Sequence, residues 1–254
     1  MVIKTLKNRS YIVFVALLTI IMLAIVLTHY YKVFKYRDNN DEVSIAISQR
    51  LGLDTNVTVI EMQKLNGYLI AFFRDESSTV PMYGFSRFQR GVNGRYRYDL
   101  SARRDIQFSS PILIEHWGMG KDAGLYYLIG GDNCESVEQF SLEFHNDSGE
   151  FYTAIFQNDT DRFFLLLPEA DIFAMLSDDT DYYSFHGRYA RLYDFDGKDI
   201  TEMMAINSDF NPERQFDTVL FPYNFYRYIY AVLILYTGII YVTNKVRKHH
   251  TSQG

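Results

Sequence analysis

The chain has 254 residues, of which 48% are hydrophobic and one is cysteine, so it can hold one substantial domain or two small ones with no intramolecular disulfide to staple them. Its net charge of -6 conceals a partition: residues 1 to 37 carry six Lys/Arg and no acid, residues 227 to 254 carry four Lys/Arg and no acid, and all 31 acids lie from Asp38 to Asp217. Basic ends flank an acidic body.

The first element is "YIVFVALLTIIMLAIVL", Tyr11 to Leu27, 17 residues without a charge. Counted on to Tyr31 it reaches about 31 Å as a helix, the thickness of a hydrocarbon core. Lys4, Lys7 and Arg9 also suit the start of a secretory signal, but the apolar run is longer than such signals use and no small-residue cleavage motif follows. The reading is an uncleaved membrane helix.

Asn40 to Gly52 reads as a short helix, with Val43, Ile47 and Leu51 on one face, Asn40 or Asp41 as N-cap and Gly52 just past the end. Strands follow. "NVTVIEMQKLNGYLIAFFRDE" places two β-branched or aromatic runs around Asn66-Gly67, a pair suited to a type I' hairpin. Met82 to Gln89 and Arg95 to Leu100 repeat the pattern around "GVNG", which predicts an antiparallel meander of four strands.

A second meander is predicted from Leu125–Ile129, Val137–Phe144, Phe151–Gln157 and Arg162–Leu167, separated by turn-forming stretches. Phe140, Leu142 and Phe144 alternate with polar residues, as in a sheet with one wet face. Pro168 opens a helix through Leu176, and "ARLYDFDGKDI" places Asp196-Gly197 at another tight turn. Two similar halves and one continuous sandwich fit the pattern equally.

The stretches "LYYLIGGDN", "SVEQFSLEF", "DRFFLLLP" and "ARLYDFDGKDI" together resemble the strand series of poorly characterised, membrane-anchored β-rich proteins of Gram-positive bacteria. The resemblance covers about Leu125 to Ile200, implies an extracytoplasmic β domain, and supplies no catalytic residues.

The last element, Tyr228 to Val242, is a 15-residue apolar run. Phe221, Tyr223, Phe225 and Tyr226 extend it, tyrosines suit an interfacial belt, and Lys245, Arg247 and Lys248 close it, so it reads as a second span. The alternative is a terminal helix docked on the domain. Lys/Arg bias ties at the first span and favours a cytoplasmic tail at the second. The expected order is residues 1–10 as cytoplasmic N-terminus, 11–31 membrane helix, 32–56 stalk and short helix, 57–220 extracytoplasmic β-rich domain with a subdomain split near 105–124 as one option, 221–243 membrane helix, and 244–254 cytoplasmic basic tail. The fold class is therefore mainly β, an antiparallel meander or sandwich between two transmembrane helices at a plasma membrane.

The densest candidate site is "FSRFQRGVNGRYRYDLSARR". Arg87, Arg90, Arg95, Arg97, Arg103 and Arg104 accompany one acid, Asp99, and Tyr96 and Tyr98 alternate with Arg95 and Arg97. On a strand the arginines share one face and the tyrosines the other. Such a face suits an anionic envelope polymer, a lipid headgroup or a membrane protein partner rather than nucleic acid. The competing reading sets the arginines against the acid-rich remainder of the domain.

"IEHWGMGKDAG" reads as a structural turn, since Glu115 and His116 point to opposite faces of any strand. Asp194, Asp196, Asp199 and Glu202 resemble a calcium loop, but Lys198 and Asp199 occupy positions that need a ligand and a glycine. Asp178, Asp179 and Asp181 read as a solvated connection, and Cys134 has no histidine near it in sequence. No catalytic, cofactor-binding or metal-binding residues are expected. Non-enzymatic binding, sensing or accessory work at a cell envelope leads, with the lipid bilayer as the first partner. A membrane-anchored hydrolase is the alternative.

Overall fold

The computed structural model describes residues 2–76, 82–105, 112–119, 124–146, 151–176, 183–184, 190–201, 203, 217–220 and 224–252. Among them are helices α1 (Val2–Val33), α2 (Asn40–Leu51), α3 (Glu169–Leu176) and α4 (Asn224–Ser252). The strands are β1 (Thr58–Leu65), β2 (Tyr68–Asp75), β3 (Met82–Arg90), β4 (Tyr96–Asp105), β5 (Ile112–Gly118), β6 (Leu125–Gly131), β7 (Gln139–Asn146), β8 (Phe151–Gln157), β9 (Phe163–Pro168), β10 (Tyr183–Ser184), β11 (Ala190–Tyr193) and β12 (Asp217–Leu220). The chain forms two compact units, Met1–Lys35 with Pro222–Gly254, and Tyr36–Phe221.

The helical unit holds two stretches long and apolar enough to cross a membrane, Ser10–Val33 with 24 residues and Arg227–Val246 with 20, and neither is buried in protein. Side chains such as Ile12, Ile20, Ile234 and Leu235 stand exposed along them. An apolar surface of this extent is of the kind that lipid or a partner covers. The helices pair antiparallel: Thr19 meets Tyr236 and, further along α1, His29 meets Tyr228 at 4.0 Å between ring centroids. Thr19 Oγ1 donates to Val15 O at 2.8 Å, so the Tyr236 hydroxyl donates to Thr19 across the pair, also at 2.8 Å.

The other unit is mainly β, three antiparallel sheets with α2 on one side. The first sheet runs β1-β2-β3-β4-β12. Its β1–β2 turn is Asn66-Gly67 with φ of 48° and 79°, the two left-handed residues that a type I' hairpin requires. Both ends of the domain lie on β4, where Tyr36 bridges Tyr96 and β12 pairs Leu220 with Leu100. The α2 N-cap is Asn39, one residue before the expected cap, because its side chain accepts from the Glu42 N–H at 2.9 Å. Gly52 ends the helix at φ 68°, as its position in the sequence suggests.

Where the second meander was expected, strands form but pair differently. The second sheet is β5-β6-β9, and in the third β7 pairs with β8 on one edge and with β10 and β11 on the other. Strand β6 therefore has no free edge for β7. Tyr127, Leu128 and Ile129 are consecutive and all buried, so both faces of β6 need cover, which a half-wet meander does not provide. Cover comes from both neighbours. Leu128 and Phe164 pack with Ile70, Phe72 and Phe85 of the first sheet, while Tyr127, Ile129 and Phe163 pack with Phe140, Leu142 and Leu192 of the third. On the far side of the first sheet, Val43, Ala46 and Ile47 of α2 cover Leu69, Phe73 and Phe88.

Candidate functional site

Folding divides the arginine-rich stretch. Arg87 is consumed internally, with Nε 2.7 Å from Asp99 Oδ2, Nη1 donating to Gly118 O of β5, and its guanidinium 5.1 Å from the centre of the Tyr68 ring. Arg97 is only 6% exposed and donates through Nε at 2.9 Å and Nη2 at 2.5 Å to Gln89 Oε1 on the neighbouring strand. Tyr96 and Tyr98 share one face, as their alternation predicts, and that face is the core beneath α2. Burial pushes the Tyr98 phenol up to about 12. Arg90 is exposed and Arg95 half-buried, on either side of a turn whose Val92 is 98% exposed. The side chains of Arg103 and Arg104 lie outside the described residues.

A second charged centre is absent from any local motif. Asp132, at the end of β6, is buried, and its carboxylate accepts from Arg74 Nη1 of β2 at 2.7 Å, Tyr83 OH of β3 at 2.8 Å and Arg162 Nε ahead of β9 at 2.9 Å. Arg74 also reaches Glu76 at 2.7 Å. Burial first, then the bond to Asp132, pushes the Tyr83 phenol up to about 12, which keeps it a donor. Held by donors from β2, β3 and the segment before β9, this carboxylate serves as an anchor between the first and second sheets. Next to it, Cys134 is buried and its thiol is pushed up to about 12 by burial and by Asp161 and Asp132, so it is neither exposed nor ionised at neutral pH.

Residues 112–118 form a strand rather than part of a turn, and the turn follows it, with Met119 N–H donating to Gly124 O. Glu115 and His116 do diverge, with neighbours Leu113 and Trp117 facing the first sheet and Ile112 and Ile114 the third. His116 instead meets a carboxylate from 53 residues away: Nε2 lies 3.2 Å from Glu169 Oε1 in the first turn of α3, with the ring stacked on Tyr127 at 4.4 Å. Sequence spacing carries no sign of this pair.

The acidic loops do local work. Asp194 Oδ1 accepts from the N–H groups of Asp196 and Lys198 and shapes the β11 turn, while the Thr201 hydroxyl and N–H hold the Asp199 carboxyl below its ordinary range. Asp178, Asp179 and Asp181 lie outside the described residues. Among the described residues, no group of three His, Cys, Asp or Glu is disposed to hold a metal ion. Comparison with known protein families, characterised proteins and solved structures yields no match.

Proposed function

We propose that the chain is a membrane-anchored binding or accessory protein whose β domain stands outside the plasma membrane, with both termini in the cytoplasm. The observation that carries this reading is the antiparallel pairing of α1 and α4, which puts the two chain ends at the same end of the helix pair. The excess of Lys245, Arg247 and Lys248 beyond the second apolar helix supports a cytoplasmic location for that end. The domain then binds rather than catalyses, and its ligand is an anionic envelope polymer met at the β3–β4 turn by the exposed Arg90 and the half-buried Arg95, on either side of the exposed Val92.

The test uses the whole chain in nanodiscs of neutral phosphatidylcholine and a labelled poly(glycerol phosphate). Binding should fall at least tenfold in Arg90→Glu with Arg95→Glu, and high salt should reproduce the loss. Unchanged binding at low salt would remove the polymer as ligand. The hydrolase alternative rests on the His116–Glu169 pair. It would gain from ester or phosphoester turnover that His116→Ala abolishes.

A further inference from the structure

Beside the helix pair lies a cavity of about 370 Å³, lined by Ile21, Ala24, Ile25, Thr28, His29, Lys32 and Tyr228. Positions 21, 25, 28 and 32 recur at helical spacing, so α1 offers them as one strip. From Ile21 to Lys32 the strip is about 16 Å long at 1.5 Å per residue. Its chemistry is graded along that length. One end is aliphatic, with the small Ala24 leaving room, and the other collects a hydroxyl, an imidazole, a phenol and an ammonium group at the terminus of the apolar stretch.

The charge that the two helices bring to the polar end is one-sided. No acid occurs before Asp38 and none after Asp217, so neither helix supplies a carboxylate to neutralise Lys32. A lysine at the end of a span reaches the headgroup level, where its counter-charge is a phosphate. A phosphate-only ligand would leave the aliphatic end empty, and a neutral chain would leave the ammonium group without a counter-ion. A ligand with an anionic head and an apolar tail satisfies both.

We propose that this cavity is a binding site for one anionic glycerophospholipid, with its phosphate at Lys32, His29 and Thr28 and an acyl chain against Ile21, Ala24 and Ile25. The site rests on the reading of α1 and α4 as membrane-spanning. It is distinct from the Arg90 and Arg95 surface, which lies in the β domain.

The experiment takes the full chain from mixed phosphatidylglycerol and phosphatidylcholine nanodiscs and reads retained lipid by native mass spectrometry. The wild type should retain phosphatidylglycerol in preference to phosphatidylcholine by fivefold or more. Lys32→Gln should remove that preference, and Ala24→Phe, which fills the cavity and keeps the charge, should reduce retention of both lipids. Equal retention by the wild type, an unchanged preference in Lys32→Gln, or displacement by soluble glycerol phosphate would overturn the proposal. So would a photoreactive residue at position 25 that captures a second polypeptide instead of lipid. Alkaline carbonate extraction separates the two readings. Release of the wild type from membranes would sink the spanning reading and the site together, whereas retention without lipid preference would sink the site alone.

Discussion

Replacing Asp132 by alanine should be among the most damaging single changes in the β domain. The carboxylate is fully buried and receives donors from β2, β3 and the segment before β9, so its removal leaves the Tyr83 hydroxyl without its acceptor and the Arg74 guanidinium, 22% exposed, with only the more exposed Glu76 as counter-charge. Breaking a buried charge pair in this one-sided way costs about 3–5 kcal/mol. The Arg162 arm adds little, because that side chain is 57% exposed and solvent screens it to about 1 kcal/mol or less. At about 2–4 °C per kcal/mol for a domain in this size class, Tm should fall by roughly 10 °C. The assay is thermal and urea unfolding of the full chain in mild detergent for Asp132→Ala, Arg74→Ala, the double variant and Arg162→Ala. Because Arg74 and Asp132 serve each other, the double variant should cost about 2 kcal/mol less than the sum of the singles. Additive losses, or an Asp132→Ala loss no larger than that of Arg162→Ala, would refute the role of Asp132 as the anchor between sheets.

Alkali should destabilise the domain in stages. The Cys134 thiol, ordinarily near 9, and the Tyr83 and Tyr98 phenols, ordinarily near 10, are each raised to about 12 in the fold, so the stability they contribute is complete below those ordinary values and is lost as pH rises toward 12. Urea midpoints should therefore decline from about pH 9, and Cys134→Ala should flatten the first part of that decline; a slope unchanged in that variant would contradict ionisation of the buried thiol as its cause. Gly84→Ala should cost about 1–3 kcal/mol by overpacking, since its new Cβ would lie 2.5 Å from both the Ala102 carbonyl oxygen and the Phe73 ring, and an unchanged urea midpoint would show that β3 can yield. In a Cys134→Ser background, His29→Cys with Tyr228→Cys should be joined by a short bifunctional thiol cross-linker while Thr19→Cys with Tyr228→Cys is not, and the reverse pattern would exclude the pairing of His29 with Tyr228 across the helices.

Turn chemistry made the tight turns and the end of α2 legible. Asn66-Gly67, Gly52 and Asp196-Gly197 each announce a backbone conformation that few other residues adopt, and each occurs where its neighbours imply. Pairing between distant strands had no such marker. The uninterrupted apolar runs of β6 and β9 signal two covered faces, and reading them as members of a half-wet meander placed β7 on the wrong partner. The arginine-rich stretch misled in a related way. Composition registers charge but not its acceptors, and the acceptors of Arg87 and Arg97 include Gly118 O from another sheet and Gln89, which carries no charge. Asp132 and the His116–Glu169 pair were invisible because each joins segments tens of residues apart, and only the stacking of sheets brings them together.

The most direct measurement is the labelling of single cysteines by a membrane-impermeant thiol reagent in intact cells, in a Cys134→Ser background. Reporters at Asn8, Val92 and Ser252 sample both ends of the chain and the β3–β4 turn. Labelling at Val92 alone is the result predicted for two spans with the β domain outside. Labelling at Ser252 as well would make α4 part of the outer domain, and labelling at the two ends with Val92 protected would invert the topology; either would contradict a β domain held outside the membrane by two spans.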